Sequence, residues 1–181
     1  MSSIVMIRVP LVFLCLLALG APAEQTLKVA PLLRDDQVLV SFQLGEVFTD
    51  ELKAALHSGL TVSFVYKIDL RRSGAVWLDR TIASAAVTAG VKYDNLTRRD
   101  TVTRAIDGRM EWARYTDRED EVRNWLTTDF ERLPLFRNAK LEPNAEYYLR
   151  VRAHTTPRNA TFLWPWDGHD VSALAKFTVI R

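Results

Sequence analysis

The residues best suited to chemistry lie close together near the C-terminal end, in Phe162-Leu163-Trp164-Pro165-Trp166-Asp167-Gly168-His169-Asp170. Two indoles flank a proline whose ring fixes φ and holds their backbones apart. Exposed, Trp164 and Trp166 would form a binding ledge, since an indole brings a large rigid surface and one N–H donor to a protein partner, or stacks on a sugar ring. Tucked under the fold, the same pair would plug an edge, and Asp167-Gly168 would make an ordinary turn. Asp167, His169 and Asp170 add carboxylate oxygens and an imidazole, the donors of a metal or acid–base site. A further, distant ligand is not identifiable, and no HExxH or comparable spacing accompanies them. The binding candidates are therefore Trp164, Trp166, Asp167 and His169, and no residue is assigned to catalysis, a metal or a cofactor.

Other reactive side chains have simpler explanations. His57 falls in the last turn of an expected helix, where a cation suits the helix dipole, and His154 lies on a polar strand face beside Arg152. Asp117, Glu119, Asp120 and Glu121 would occupy the first turn of a second helix, where capping and the macrodipole favour acids. No serine sits in a Gly-x-Ser-x-Gly or Ser-x-x-Lys context. Arg71 and Arg72 end one strand, Arg98, Arg99 and Arg104 occupy a neighbouring segment, and Arg150 and Arg152 share a strand face. Together they would make a basic sheet face, unless Asp69, Asp100, Asp107 and Glu111 pair with them across strands, the usual fate of charges on a solvated face.

These side chains need strands to hold them, and hydrophobic period supplies the strands. Val38, Val40, Phe42 and Leu44 alternate with Leu39, Ser41 and Gln43, and Phe64, Tyr66, Ile68 and Leu70 with Val65, Lys67, Asp69 and Arg71. Tyr147, Leu149, Val151 and Ala153 face one way and Tyr148, Arg150, Arg152 and His154 the other; Phe177 and Val179 repeat the pattern. Shorter strands are expected in Leu27 to Leu33, Val76 to Val87, Leu96 to Ile106 and Met110 to Tyr115, with turns at Tyr93-Asp94-Asn95 and Asp107-Gly108. One helix runs from a Thr49 or Asp50 cap through Leu52, Ala55 and Leu56 to Gly59. A second opens on the capping box Thr116-Asp117-Arg118-Glu119 and carries Val122, Trp125, Leu126, Phe130 and Leu133 on one stripe before Pro134 stops it, with Trp125 among its costliest residues to remove. The expected fold is mainly β with two short helices (α+β): an immunoglobulin-like antiparallel β-sandwich of about seven strands, with a helix packed on one sheet or end.

Location follows from the first residues. Arg8 is the only charge before Glu24, an apolar run spans Val9 to Gly20, and Ala21-Pro22-Ala23 closes it, the parts of a signal peptide cleaved after Ala23. The run is too short to favour a membrane span. Leu14 precedes Cys15 where a lipid-anchor site wants a small residue. Residues 1–23 are thus read as a signal peptide and 24–181 as a single domain without cysteine, which excludes disulfides and a thiolate nucleophile. With 24 basic and 22 acidic side chains, the near-neutral charge argues against a general nucleic-acid role.

Glu51 to Phe64, with its core Ala54-Ala55-Leu56-His57-Ser58-Gly59-Leu60, then Tyr93-Asp94-Asn95-Leu96-Thr97-Arg98, and Leu141 to Arg152, resemble the bacterial exported family catalogued as domain of unknown function 4390. The resemblance implies an extracytoplasmic domain of unassigned activity, in some bacteria encoded near a membrane sensor kinase, and carries over no functional residues. The expected function is a non-enzymatic periplasmic or secreted interaction domain, partnered by another extracytoplasmic protein such as a membrane sensor. Its rivals are a glycan or small-ligand binding module built on Trp164 and Trp166, and an unrecognised hydrolase needing Asp167 or Asp170 beside His154 or His169.

Overall fold

The computed structural model describes residues 27–45, 49–74, 79–137, 139–158 and 171–180. Along them run β1 (Leu27–Arg34), β2 (Gln37–Leu44), α1 (Asp50–His57), β3 (Thr61–Arg72), β4 (Arg80–Asp94), β5 (Arg99–Ile106), β6 (Arg109–Thr116), α2 (Glu119–Thr127), β7 (Leu133–Phe136), β8 (Glu146–Arg158) and β9 (Val171–Thr178). The alternation that makes the strands also decides the layers. Val38, Val40, Phe42 and Leu44 of β2, Phe64, Tyr66, Ile68 and Leu70 of β3, and Tyr147, Leu149, Val151 and Ala153 of β8 are all buried. Each such Val, Leu, Ile or Phe side chain contributes about 1.5–3 kcal/mol when fully withdrawn from water.

Two antiparallel sheets result, one of three strands ordered β1-β2-β7 and one of six ordered β6-β5-β4-β3-β8-β9. β3 pairs along its whole length with β4 on one side and β8 on the other. The sheets share one core, in which Phe42 of the smaller sheet lies 4.7 Å from Tyr66 of the larger and 4.5 Å from Phe130. The Tyr66 hydroxyl donates to the Leu126 carbonyl at 2.7 Å, tying α2 into that core, and burial pushes its phenol pKa up. The larger sheet thus has one face covered by β1, β2, β7 and the helices; among the described residues no element packs on the other. The architecture is the expected β-sandwich with two helices, with nine strands among the described residues where about seven were expected, divided three against six.

Local chemistry closes the turns. Asp107-Gly108 joins β5 to β6 with φ of 48° and 78°, both positive as a two-residue hairpin turn matching the strand twist requires. Asp94 bends the β4–β5 connection by accepting the Leu96 amide at 2.8 Å. α1 opens as expected on Thr49, whose hydroxyl accepts the Leu52 amide at 3.4 Å, and Gly59 leaves it at φ 85°.

The second helix departs from expectation at both ends. It starts at Glu119 with Arg118 as N-cap residue; the Thr116 hydroxyl accepts the Arg118 amide at 3.1 Å and donates to Glu121 at 2.7 Å, so no Thr116–Glu119 capping box forms. It ends at Thr127, where the amides of Thr128 and Asp129 both converge on the Asn124 carbonyl. Val122, Leu126, Phe130 and Leu133 are buried as the stripe requires, but Phe130 arrives from a turn and Leu133 from β7. Trp125 is only half-buried, edge-on to Trp112 at 6.1 Å, which removes it from the costliest positions. Pro134 lies inside β7, an edge strand, where a residue without an N–H is tolerated.

Candidate interaction surface

Period 2 sends Lys67, Asp69 and Arg71 of β3 to the uncovered face of the larger sheet, opposite Arg152, Arg150 and Tyr148 of β8. Asp69 is the hub. Its carboxylate accepts from Arg150 Nη2 at 2.9 Å, Arg152 Nη2 at 3.1 Å and the Ser84 hydroxyl at 2.8 Å, and only 8% of the residue is exposed. Burial pushes the Asp69 carboxyl up, but the hydrogen bonds from Arg150 and Ser84 and the charges of Arg152 and Arg150 outweigh it, holding the pKa below the usual carboxylate value. One carboxylate cannot neutralise two guanidiniums, and Nε of both arginines is buried without a hydrogen-bond partner among the described residues.

Positive charge extends outward from that hub. Arg71 donates to the Asp79 carbonyl at 3.0 Å and lies over the Tyr148 ring, whose hydroxyl donates to the Asp79 carboxylate at 2.6 Å. Lys67 and Lys92 are exposed on the same face, and Lys176 of β9 reaches Glu146 at 3.7 Å. Around the hub, Lys67, Arg71, Arg150, Arg152 and Lys176 thus stand against Asp69, Asp79 and Glu146, while Lys92 at the far end of the face has Asp94 two residues away on its own strand. Apolar side chains mark the flanks: Leu174 on β9, 65% exposed, and Met110 and Tyr115 on β6, 68% and 69% exposed.

The basic face anticipated from the arginines therefore exists in part. Asp69 pairs across strands as expected, and Asp107 instead accepts the Ala86 amide at 2.8 Å. Arg72 pairs with Glu142 at 2.6 Å at one end of the sheet, and Arg98 lies in the β4–β5 turn at φ 54°. Arg104 belongs to the opposite, covered face. It stacks between Trp112 at 4.6 Å and Phe130 at 4.7 Å and reaches the Asp129 carboxylate at 3.1 Å, while Arg114 stacks between Trp112 at 4.4 Å and Trp125 at 5.2 Å. Burial lowers the Arg104 pKa against the charge of Asp129, and the guanidinium stays a cation. This alternating ladder of aromatic rings and arginines rivets α2 to β5 and β6. Its sequence signal was the run Val102, Arg104, Ile106, which assigns Arg104 to the buried side.

Trp164, Trp166, Asp167 and His169, with Asp170, lie outside the described residues, as does the segment 1–26. His154 stands on the open sheet face opposite Val65, and His57 meets the Tyr93 ring edge-on at 4.8 Å. Glu119, Asp120 and Glu121 occupy the first turn of α2, engaged by Lys53, Arg118 and Arg123. Among the described residues no three His, Cys, Asp or Glu side chains group closely enough to hold a metal ion, and no helix is long and apolar enough to cross a membrane.

Sheet division, helices and one open basic face define a small α+β sandwich of unequal layers. The chain belongs to the family described as domain of unknown function (DUF4390), whose model matches residues 25–159. No curated protein and no solved structure matches it.

Proposed function

We propose that the protein is a non-enzymatic interaction domain working outside the cytoplasm, which docks an acidic segment of another extracytoplasmic protein, such as the sensing region of a membrane protein, on the open face of its larger sheet. The observation that carries this reading is the surplus of cations around Asp69. Charges arranged only to stabilise a solvated sheet would pair across strands; here Arg150 and Arg152 share one carboxylate, with Lys67 exposed beside Arg152 and Lys92 farther along the same face. A field of one sign steers an oppositely charged partner and fixes its register. Export is supported by Arg8, the apolar run Val9 to Gly20 and Ala21-Pro22-Ala23.

In-cell cross-linking of tagged protein tests it, comparing wild type with Lys67→Glu/Lys92→Glu at matched folded abundance. Recovery of one envelope protein by wild type and its loss from the double variant is the expected result. Equal recovery by both, or no specific protein from wild type, overturns the reading, and cell fractionation placing the protein in the cytoplasm overturns its location.

A further inference from the structure

A second concentration of positive charge surrounds a cavity rather than a surface. β7 pairs with β2 over only a few residues, and beyond it Arg137 and the stretch from Ala139 to Glu142 lie against the ends of β3 and β4. Two tethers hold it there: the Glu142 amide donates to the Tyr147 hydroxyl at 2.8 Å, and the Glu142 carboxylate meets Arg72 at 2.6 Å. Beneath this strap β4 has an open edge among the described residues, because β5 pairs with it only from Val87 onward. Between strap and edge lies a cavity of about 460 Å³, within the range of roughly 300–1,000 Å³ typical of small-molecule sites.

Its lining has two characters. Ile82, Leu135, Phe136 and Ala139 make it apolar on one side. Around it stand Arg72, Arg80, Arg137 and Lys140, with Glu142 the only acid among the described lining residues. Glu142 is engaged by Arg72, and Arg80, Arg137 and Lys140 form no ion pair with the described residues. Like charges converging on one concavity repel unless a counter-ion joins them, and low-dielectric walls focus their field inward. The β4 edge adds one backbone donor: the Ala86 amide, on the side away from β3, is already taken by Asp107, and the Ser84 peptide, two residues back, faces the same way.

We propose that this cavity binds a small amphipathic anion, a carboxylate or phosphate carried on an apolar body, with Arg80, Arg137 and Lys140 on the anionic group and Ile82, Leu135 and Phe136 against the apolar part. A cation is disfavoured by the lining charge, and a fully hydrated anion would leave the apolar wall unused. The cavity touches the open sheet face at Ser84, but Arg80, Arg137 and Lys140 take no part in the Asp69 hub, so failure of this site would leave the docking reading untouched.

Calorimetric titration of the purified protein with octanoate, octyl phosphate, inorganic phosphate and octylammonium tests it. Octanoate or octyl phosphate binds and raises Tm, while inorganic phosphate and octylammonium bind at least about tenfold more weakly. Arg137→Glu/Lys140→Glu, two exposed positions, lowers affinity for the bound anion by about tenfold or more, the scale of one lost charge-assisted hydrogen bond. The neutral pair Arg137→Gln/Lys140→Gln, checked for native circular dichroism, gives a smaller loss. Octylammonium binding as well as octanoate, inorganic phosphate binding as well as octyl phosphate, charge reversal without effect, or no binding at millimolar concentration each overturns the proposal.

Discussion

Two arginine clusters lie on opposite faces of the same sheet and use the same side chain differently. On the covered face Arg104 is flattened between Phe130 and Trp112, with an acceptor at Asp129, so its charge is spent on holding α2 in place. On the open face Arg150 and Arg152 converge on Asp69, whose single charge they share. The guanidinium plane suits both situations, stacking on rings in one and forking onto a carboxylate in the other. What separates them is what lies above: aromatic side chains from a helix and a turn in the first case, solvent in the second. The first arrangement is closed and should register mainly in stability; the second leaves charge available and should register mainly in binding.

The sharpest break of that contrast is at Phe130, fully buried between Arg104, Phe42 and Tyr66. Phe130→Ala is expected to cost about 3–5 kcal/mol in urea unfolding, leaving a cavity and one face of Arg104 without its ring. Next comes Asp69→Asn, at about 2–3 kcal/mol, because it strands two partly buried guanidiniums. Asp69 also gives the contrast a pH signature. Its folded pKa is depressed, so its contribution is complete above the unfolded carboxylate value of about 3.9 and is lost as pH falls through the lower folded value. Wild-type stability measured from pH 6 downward should decline over that acidic range, and Asp69→Asn should flatten the decline. Trp125→Ala, which removes a half-buried ring from the outer end of the ladder, is expected to cost about 2 kcal/mol in the same assay, clearly less than Phe130→Ala. Lys67→Glu/Lys92→Glu should change Tm least, each exposed site shifting stability by no more than about 0.5 kcal/mol, while carrying the largest loss of cross-linked partner.

The strongly alternating strands were legible in the residues: β2, β3 and β8 each bury every second side chain where the period places it. β4 was harder. Ala83, Ala85, Ala86 and Ala89 offer little contrast between its two faces, so the expected strand, Val76 to Val87, stops well short of the end of β4 at Asp94, and its first residues lie outside those described. The second helix was read too long because Val122, Leu126, Phe130 and Leu133 keep helical spacing after the backbone has left the helix. Arg132, at φ 49°, marks the reversal that lets Leu133 enter the core from a strand. Arg150 and Arg152 on one face, with Asp69 beside them, followed directly from period 2. The cavity did not, because Arg72, Arg80, Arg137 and Lys140 belong to three separate stretches that meet only when the segment after β7 folds back over the sheet.

β9 has a practical bearing on how the protein is handled. It lies beyond the residues 25–159 that the family match covers, yet it pairs with β8 from Glu146 to Ala153, stacks Phe177 on Tyr147 at 5.9 Å and leads into the fully buried Val179. A fragment trimmed to the family boundary would bare a long hydrogen-bonding edge beside an opened core. Such an edge recruits strands from other molecules. Expression of that fragment would therefore yield aggregates that say nothing about the behaviour of the whole chain.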